Sequence, residues 1–269
     1  MNTQALSVSG DTRLFAIIGD PIAQARSPML FNQLFAEIGA NAILVPMQVP
    51  ASHLQVAVAG LKAVANLDGV VVTVPHKVTI TEAVDELGPN AQRVGAVNCM
   101  RRLPDGRWGG EMYDGEGFVS GLRREGMEPA GWRVFQAGCG GAGKAVAHAL
   151  ARAGVAALDL FDVKETLQRS LVAELQRLYP QVEVNAAGSP SQEHDLLINA
   201  TPCGMAAGDP QPFGLELSRA EAVVADLIMK PERTSLLCAA ERRGHRIHLG
   251  RHLLESQARL VARYFGLDA

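Results

Sequence analysis

Val134-Phe135-Gln136-Ala137-Gly138-Cys139-Gly140-Gly141-Ala142-Gly143-Lys144-Ala145-Val146 reads as a short apolar strand, a G-x-G-x-x-G turn and the start of an alanine-rich helix. Each glycine has a physical role. Gly138 permits the tight turn, Gly140 lets a pyrophosphate approach the backbone, and Gly143 lets helix and strand pack closely. The unpaired N–H groups of the helix N-terminus then face the phosphates. A second strand over residues 157–161 ends at Asp162, about 20 residues past the last glycine, where an acid can bind a ribose 2′-hydroxyl. The unit predicts dinucleotide binding.

The remaining composition sets bounds. With 269 residues, 48% hydrophobic and 20% charged, the chain is long enough for two globular domains. The net charge of −3 and the scattered basic residues exclude nucleic acid as the main partner. No apolar run approaches the ~18 residues of a membrane span. Residues 1–13 lack a signal-peptide core, and residues 1–12 read as a polar leader. Cys99, Cys139, Cys203 and Cys238 show neither metal spacing nor a disulfide framework, so no metal is expected and a cytoplasmic setting is.

Outward from the glycine turn, strands and helices alternate with short loops, which predicts a mostly parallel, doubly wound sheet. Toward the N-terminus, residues 14–19 read as a strand, Ser27 as the N-cap of a helix with Pro28 at its first position, and residues 42–49 as a strand whose Pro46 implies an edge position or a break. Residues 69–75 form a valine-rich buried strand ending in Pro75-His76-Lys77, residues 82–87 read as helical, and Pro104-Asp105-Gly106-Arg107 is a hairpin turn. Asp114 opens a helix, and Gly126 to Gly131 marks a domain boundary. A ligand is expected between a dinucleotide-binding domain and a smaller α/β domain carrying Lys, Asn and Asp at element ends. That constellation suits hydride transfer with a positioned proton carrier.

Taken in order, GDPIAQARSP (19–28), VVTVPHK (71–77), GAVN (95–98), DGEGF (114–118), GCGGAGKA (138–145), NATPCGM (199–205), the D-x-x-x-x-P-x-x-T-x-L-L run from Asp226 and G-x-x-L-L-x-x-Q from Gly250 resemble the shikimate/quinate dehydrogenase family over most of the chain. The resemblance implies an α/β protein. Its substrate domain (1–125) is completed by a returning C-terminal helix (251–269), and its NAD(P)-binding Rossmann domain spans 126–250. It also implies a catalytic pair, Lys77 and Asp114, with Ser27, Thr73, Asn98 and Gln257 on the substrate. Gly138, Gly140, Gly141, Ala142, Gly143, Asp162, Thr201 and Gly250 would hold the cofactor, in a monomer or homodimer of aromatic amino acid biosynthesis.

Several positions depart from the family pattern. Ala25 replaces the first of two serines, Val71 an asparagine, Met112-Tyr113 an Asn-Thr, and Met229 a tyrosine. Four of these swaps, at Ala25, Val71, Met112 and Met229, remove polar groups that could face a polyhydroxy acid. Altered substrate choice is therefore expected, with Arg26 or Arg251 as a replacement carboxylate contact. Asp162-Val163-Lys164 stands where biosynthetic members carry an Asn-Arg-Thr-like segment, so NAD is expected over NADP, with some NADP use through Lys164. The activity expected is hydride transfer to or from a ring hydroxyl of shikimate, quinate or a related cyclic hydroxy acid. The alternative is a metabolite-sensing homologue with little turnover.

Overall fold

A computed structural model describes residues 8–206 and 208–268; the first seven positions of the expected leader lie outside the described residues. Contacts divide the chain into two compact units. One runs through Tyr113 and resumes at Ala258, and the other is Asp114–Gln257.

The first unit carries β1 (Arg13–Gly19), α1 (Ser27–Glu37), β2 (Ala42–Gln48), α2 (Leu54–Ala63), β3 (Leu67–Val72), β4 (Glu86–Leu87), α3 (Pro89–Val94), β5 (Cys99–Arg102) and β6 (Trp108–Glu111). They form one sheet in the order β2-β1-β3-β5-β6-β4. β1 is parallel to both its neighbours, while β5 runs antiparallel to β3 and β6. Phe15-Ala16-Ile17-Ile18 has no polar position because a parallel strand covered on both faces tolerates none, and all four residues are buried. Phe15 stacks on Phe265 with ring centroids 4.8 Å apart, so the end of the chain closes this core. Pro46 lies in edge strand β2, as its missing N–H requires.

Three local readings are corrected. Ser27 is the first helical residue rather than the cap; Arg26 takes the cap position, and no side chain caps it. The expected helix over residues 82–87 is a 3-10 turn (Thr79–Ala83) followed by β4, because pairing with Gly109 and Gly110 of β6 overrides local preference. Helix α3 went unread. Pro89 in its first turn and Gly95 at φ +69° after its end were legible signals, but the Glu111 carboxylate that accepts the Ala91 N–H at 2.8 Å comes from 20 residues away.

The second unit carries α4 (Asp114–Arg124), β7 (Arg133–Ala137), α5 (Gly141–Arg152), β8 (Ala157–Phe161), α6 (Glu165–Leu178), β9 (Glu183–Ala186), β10 (Leu196–Asn199), β11 (Val223–Asp226), α7 (Ser235–Arg242) and β12 (Arg246–His248). The last helix, α8 (Gly250–Tyr264), belongs to this unit through Gln257 and to the first from Ala258. All six strands are parallel in the order β12-β11-β10-β7-β8-β9. The chain leaves the sheet centre in opposite directions from β7 and β10. This doubly wound arrangement opens a crevice at the C-terminal ends of those two strands. Among the described residues no helix is long and apolar enough to cross a membrane.

Helix α4 seats on α5 because it lacks side chains where the two meet. A Cβ on Gly115 would stand 2.1 Å from the Ala145 carbonyl oxygen. On α5, His148 is buried between Tyr179, whose hydroxyl is 3.2 Å from Nδ1, and Glu174, 3.3 Å from Nε2 but outside hydrogen-bond geometry. Burial, with Lys144 and Arg152 adding to it, lowers the His148 pKa from 6.5 to about 4; burial and His252 lower that of His248 to about 3. The unfolded chain therefore binds protons that the folded one refuses, and stability falls as pH drops below 6.5. From pH 6.5 to 5 the loss is expected to be about 1.5 kcal/mol per histidine. Urea unfolding across this range should show a shallower slope for His148→Gln; an unchanged slope contradicts the burial effect.

Candidate active site

The crevice of the second unit is lined by the glycine turn. Gly138 has φ +101°, a conformation that side chains disfavour, and a Cβ there would lie 2.6 Å from the Ala200 carbonyl at the end of β10. A Cβ on Gly143 would lie 2.1 Å from the Gly138 carbonyl oxygen. At Gly140 and Gly141, by contrast, a Cβ would meet nothing within 4 Å, so the outer face of the turn is open. No side chain caps α5, which leaves the first N–H groups of its opening turn, at Gly141, Ala142 and Gly143, for a ligand. Asp162, just past β8, accepts the Cys139 N–H and the Lys164 N–H at 2.8 Å each, which fixes its carboxylate beside the turn. Val163 next to it is 86% exposed. Burial, reinforced by Asp162, pushes the Cys139 thiol up to about 12, so it remains protonated. An open glycine cradle beside a fixed carboxylate fits a dinucleotide.

Beyond the crevice, the ends of β10 and β11 are tied together. Asn199 donates to Asp226 at 3.1 Å and to the Cys203 carbonyl at 3.0 Å; Thr234 donates to Asp226 at 2.7 Å and caps α7 at Leu237 N–H. The Thr201 hydroxyl donates to Asn199 Oδ1 at 2.7 Å and accepts the Cys203 N–H, so it holds its own loop. Burial raises the Asp226 pKa against these hydrogen bonds. At Gly250 a Cβ would stand 2.5 Å from the Ile228 carbonyl oxygen, which places the start of α8 hard against the exit of β11. Arg251, expected as a carboxylate contact, pairs with Glu232 at 2.9 Å. Among the motif residues, Asn199, Asp226 and Thr234 carried no role in the sequence reading. Their role is bracing, and it rests on contacts across 27 and 8 residues.

In the first unit, backbone bonds gather the exits of β1 and β3 and the start of the antiparallel β5. Thr73 N–H donates to Ile18 at 3.0 Å, Val72 N–H to Asn98 at 2.7 Å, and Val97 N–H to Lys77 at 2.7 Å. His76 is buried and bonds the Val49 carbonyl at 2.7 Å, anchoring the turn that presents Lys77. Asn98 accepts the Tyr113 N–H at 3.0 Å, which orients its amide. Thr73, Lys77 and Asn98 thus share one end of the sheet, while Ser27 lies buried at the start of α1. Val71 belongs to the apolar cluster of this unit, and Ala25 and Tyr113 pack against it. Met112 is 1% exposed, so that swap changes core packing rather than a ligand contact. In the second unit Asp114, the buried first residue of α4, accepts from Gln257 Nε2 at 2.6 Å.

A doubly wound sheet with this cradle defines a dinucleotide-binding α/β protein. Residues 17–100 match the model of the shikimate dehydrogenase substrate binding domain. The chain is 40% identical over 245 residues to a shikimate dehydrogenase (NADP(+)) of Rubrobacter xylanophilus, covering 88% of this chain and 84% of that one. Among solved structures it resembles 5-ketofructose reductase of a Gluconobacter species, with 29% identity, TM-score 0.85, and 94% and 92% of the two chains covered. It also resembles shikimate 5-dehydrogenase of Listeria monocytogenes in complex with shikimate and NAD, with 28% identity, TM-score 0.84, and 96% and 92% covered. The chain belongs to the shikimate dehydrogenase family.

The brace gives a direct test. Thr234→Val keeps the shape but removes the bond to Asp226 and the cap of α7, and is expected to cost about 2–3 kcal/mol in urea unfolding. Thr234→Ser, which keeps both bonds, should recover most of that; equal losses in the two variants contradict the hydrogen-bonding role.

Proposed function

We propose that this protein interconverts a ring hydroxyl and ketone of shikimate, quinate or a related cyclic hydroxy acid, using NAD in preference to NADP. The observation that carries the reading is the setting of Asp114: a buried carboxylate at the start of a helix, held by Gln257 at 2.6 Å. A bound nicotinamide supplies the acceptor or donor of hydride. In the oxidative direction the substrate carbon loses hydride and its hydroxyl loses a proton. Lys77 moves that proton, and Asp114 orients the hydroxyl by accepting from it. Asn98, whose carbonyl oxygen accepts the Tyr113 N–H, hydrogen-bonds a ring hydroxyl, and Thr73 and Ser27 add hydroxyls. Residues 1–125 with 251–269 serve the substrate and 126–250 the dinucleotide. Of the cradle residues, Gly138, Gly140, Gly141, Ala142 and Gly143 take the pyrophosphate, while Thr201 and Gly250 act by shaping the wall.

The cofactor preference rests on Asp162. Its carboxylate is fixed by two backbone N–H groups and keeps lone pairs for ribose hydroxyls, and its charge opposes a 2′-phosphate. The exposed Val163 offers no cation, which leaves Lys164 for residual NADP use.

An assay at 340 nm crossing NAD and NADP with shikimate, quinate and 5-ketofructose tests the reading. Lys77→Ala is expected to lower kcat by about 10²–10⁴ while the Kd for NADH stays unchanged. Cofactor binding without turnover on any substrate would favour the sensing alternative. In the same assay the wild-type kcat/KM should favour NAD by at least about tenfold, roughly 1.4 kcal/mol, and Asp162→Asn should narrow the ratio. Equal or better efficiency with NADP in the wild type overturns the preference.

A further inference from the structure

Gln136 is the fourth of five residues in β7, set among the buried apolar residues Val134, Phe135 and Ala137, and it is fully buried. A polar side chain there carries a desolvation cost unless its groups are paired. Its Nε2 donates to two carbonyl oxygens at 2.9 Å each, those of Gly138 and Gly143. These are the first and last glycines of the G-x-G-x-x-G turn. One buried amide therefore clamps both ends of the loop, and between them Gly140 and Gly141 present the open face. Its Oε1 has no partner among the described residues, so the side chain is not fully satisfied by its surroundings. Gln136 points to the α5 side of the sheet with Val134, while Phe135 and Ala137 pack on the opposite side with α7 residues. The apolar residue that the strand pattern calls for would have avoided the buried, unpaired Oε1.

We propose that Gln136 is a positioning residue for the dinucleotide: by clamping the Gly138 and Gly143 carbonyls it sets the spacing at which the turn presents its N–H groups to a pyrophosphate. The inference rests on the reading of the turn as a pyrophosphate site. Without the clamp the two carbonyls lose their shared donor, and the turn samples a wider range of spacings. Binding of a pyrophosphate then includes the cost of narrowing that range. The adenosine end meets Asp162, whose carboxylate is also held by the Lys164 N–H outside the turn, and it responds less to the clamp than the pyrophosphate does.

Calorimetric titration of the whole protein with ADP-ribose and with adenosine separates these effects. In Gln136→Met, of similar length but without donors, the Kd for ADP-ribose is expected to rise about tenfold and that for adenosine to change less than twofold. Unchanged ADP-ribose affinity in the folded variant, or equal losses for both ligands, overturns the proposal. Absence of ADP-ribose binding in the wild type overturns the pyrophosphate reading itself. A measurement on the wild type guards against a variant that fails to fold. The side-chain NH₂ of Gln136, followed by ¹⁵N NMR, should be slow to exchange and should shift with ADP-ribose but not with adenosine. Rapid exchange, or no shift on ADP-ribose saturation, overturns the clamp.

Discussion

The contact between Gly143 and the Gly138 carbonyl fixes the second unit. At 2.1 Å from that oxygen there is no room for a side-chain carbon, so helix α5 begins directly over the end of β7. Everything that touches the crevice inherits this placement. The Gly138 backbone abuts Ala200, so β10 must end beside the turn. The first turn of α5 projects its N–H groups outward because no side chain caps them. Asp162 takes the Cys139 N–H, which holds the turn to the end of β8. Replacing a close contact of this kind by a methyl group would move a helix, and helices in a packed sheet do not move singly.

A second set of absences does the same for α4. Gly115 faces the backbone of α5, and Gly117 faces α8, where a Cβ would lie 2.8 Å from that of Gln257. Glycine inside a helix costs about 1 kcal/mol against alanine, so these positions are occupied against local preference. The return is proximity: with α4 and α8 this close, Gln257 reaches Asp114 at 2.6 Å. The carboxylate expected to act in the reaction is thereby oriented by a residue 143 positions and a whole sheet further along the chain.

The sequence displayed the elements whose cause is local. The parallel sheet of the second unit, the glycine turn, the edge position of Pro46 and the hairpin at Pro104-Asp105-Gly106-Arg107 all follow from spacing and turn chemistry within a few residues. Elements whose cause is distant are not legible from local pattern. β4 exists because β6 offers it a partner, and α3 begins where a carboxylate from residue 111 accepts its N–H. The same division runs through the site. Lys77, Asp114 and Asp162 stand out as charged residues at the ends of elements. The brace of Asn199, Asp226 and Thr234, and the clamp of Gln136, depend on which carbonyl lies within 3 Å, and only the fold decides that.

Two carboxylates at strand ends show how the fold assigns different work to one functional group. Asp226 is 1% exposed, and both of its oxygens are taken by neighbours from three segments. With no lone pair turned to solvent, it serves as an internal fastener. Asp162 also accepts two N–H groups, but both come from the backbone within the loops it borders, and the position beside it is open to solvent. The first kind of site resists change because removing one partner strands a buried charge. The second tolerates it, because a different side chain there changes what the loop recognises without unlocking the sheet. Variation in cofactor choice within this fold is therefore expected at the exit of β8, and constancy at the exit of β11. The difference follows from what each carboxylate already holds.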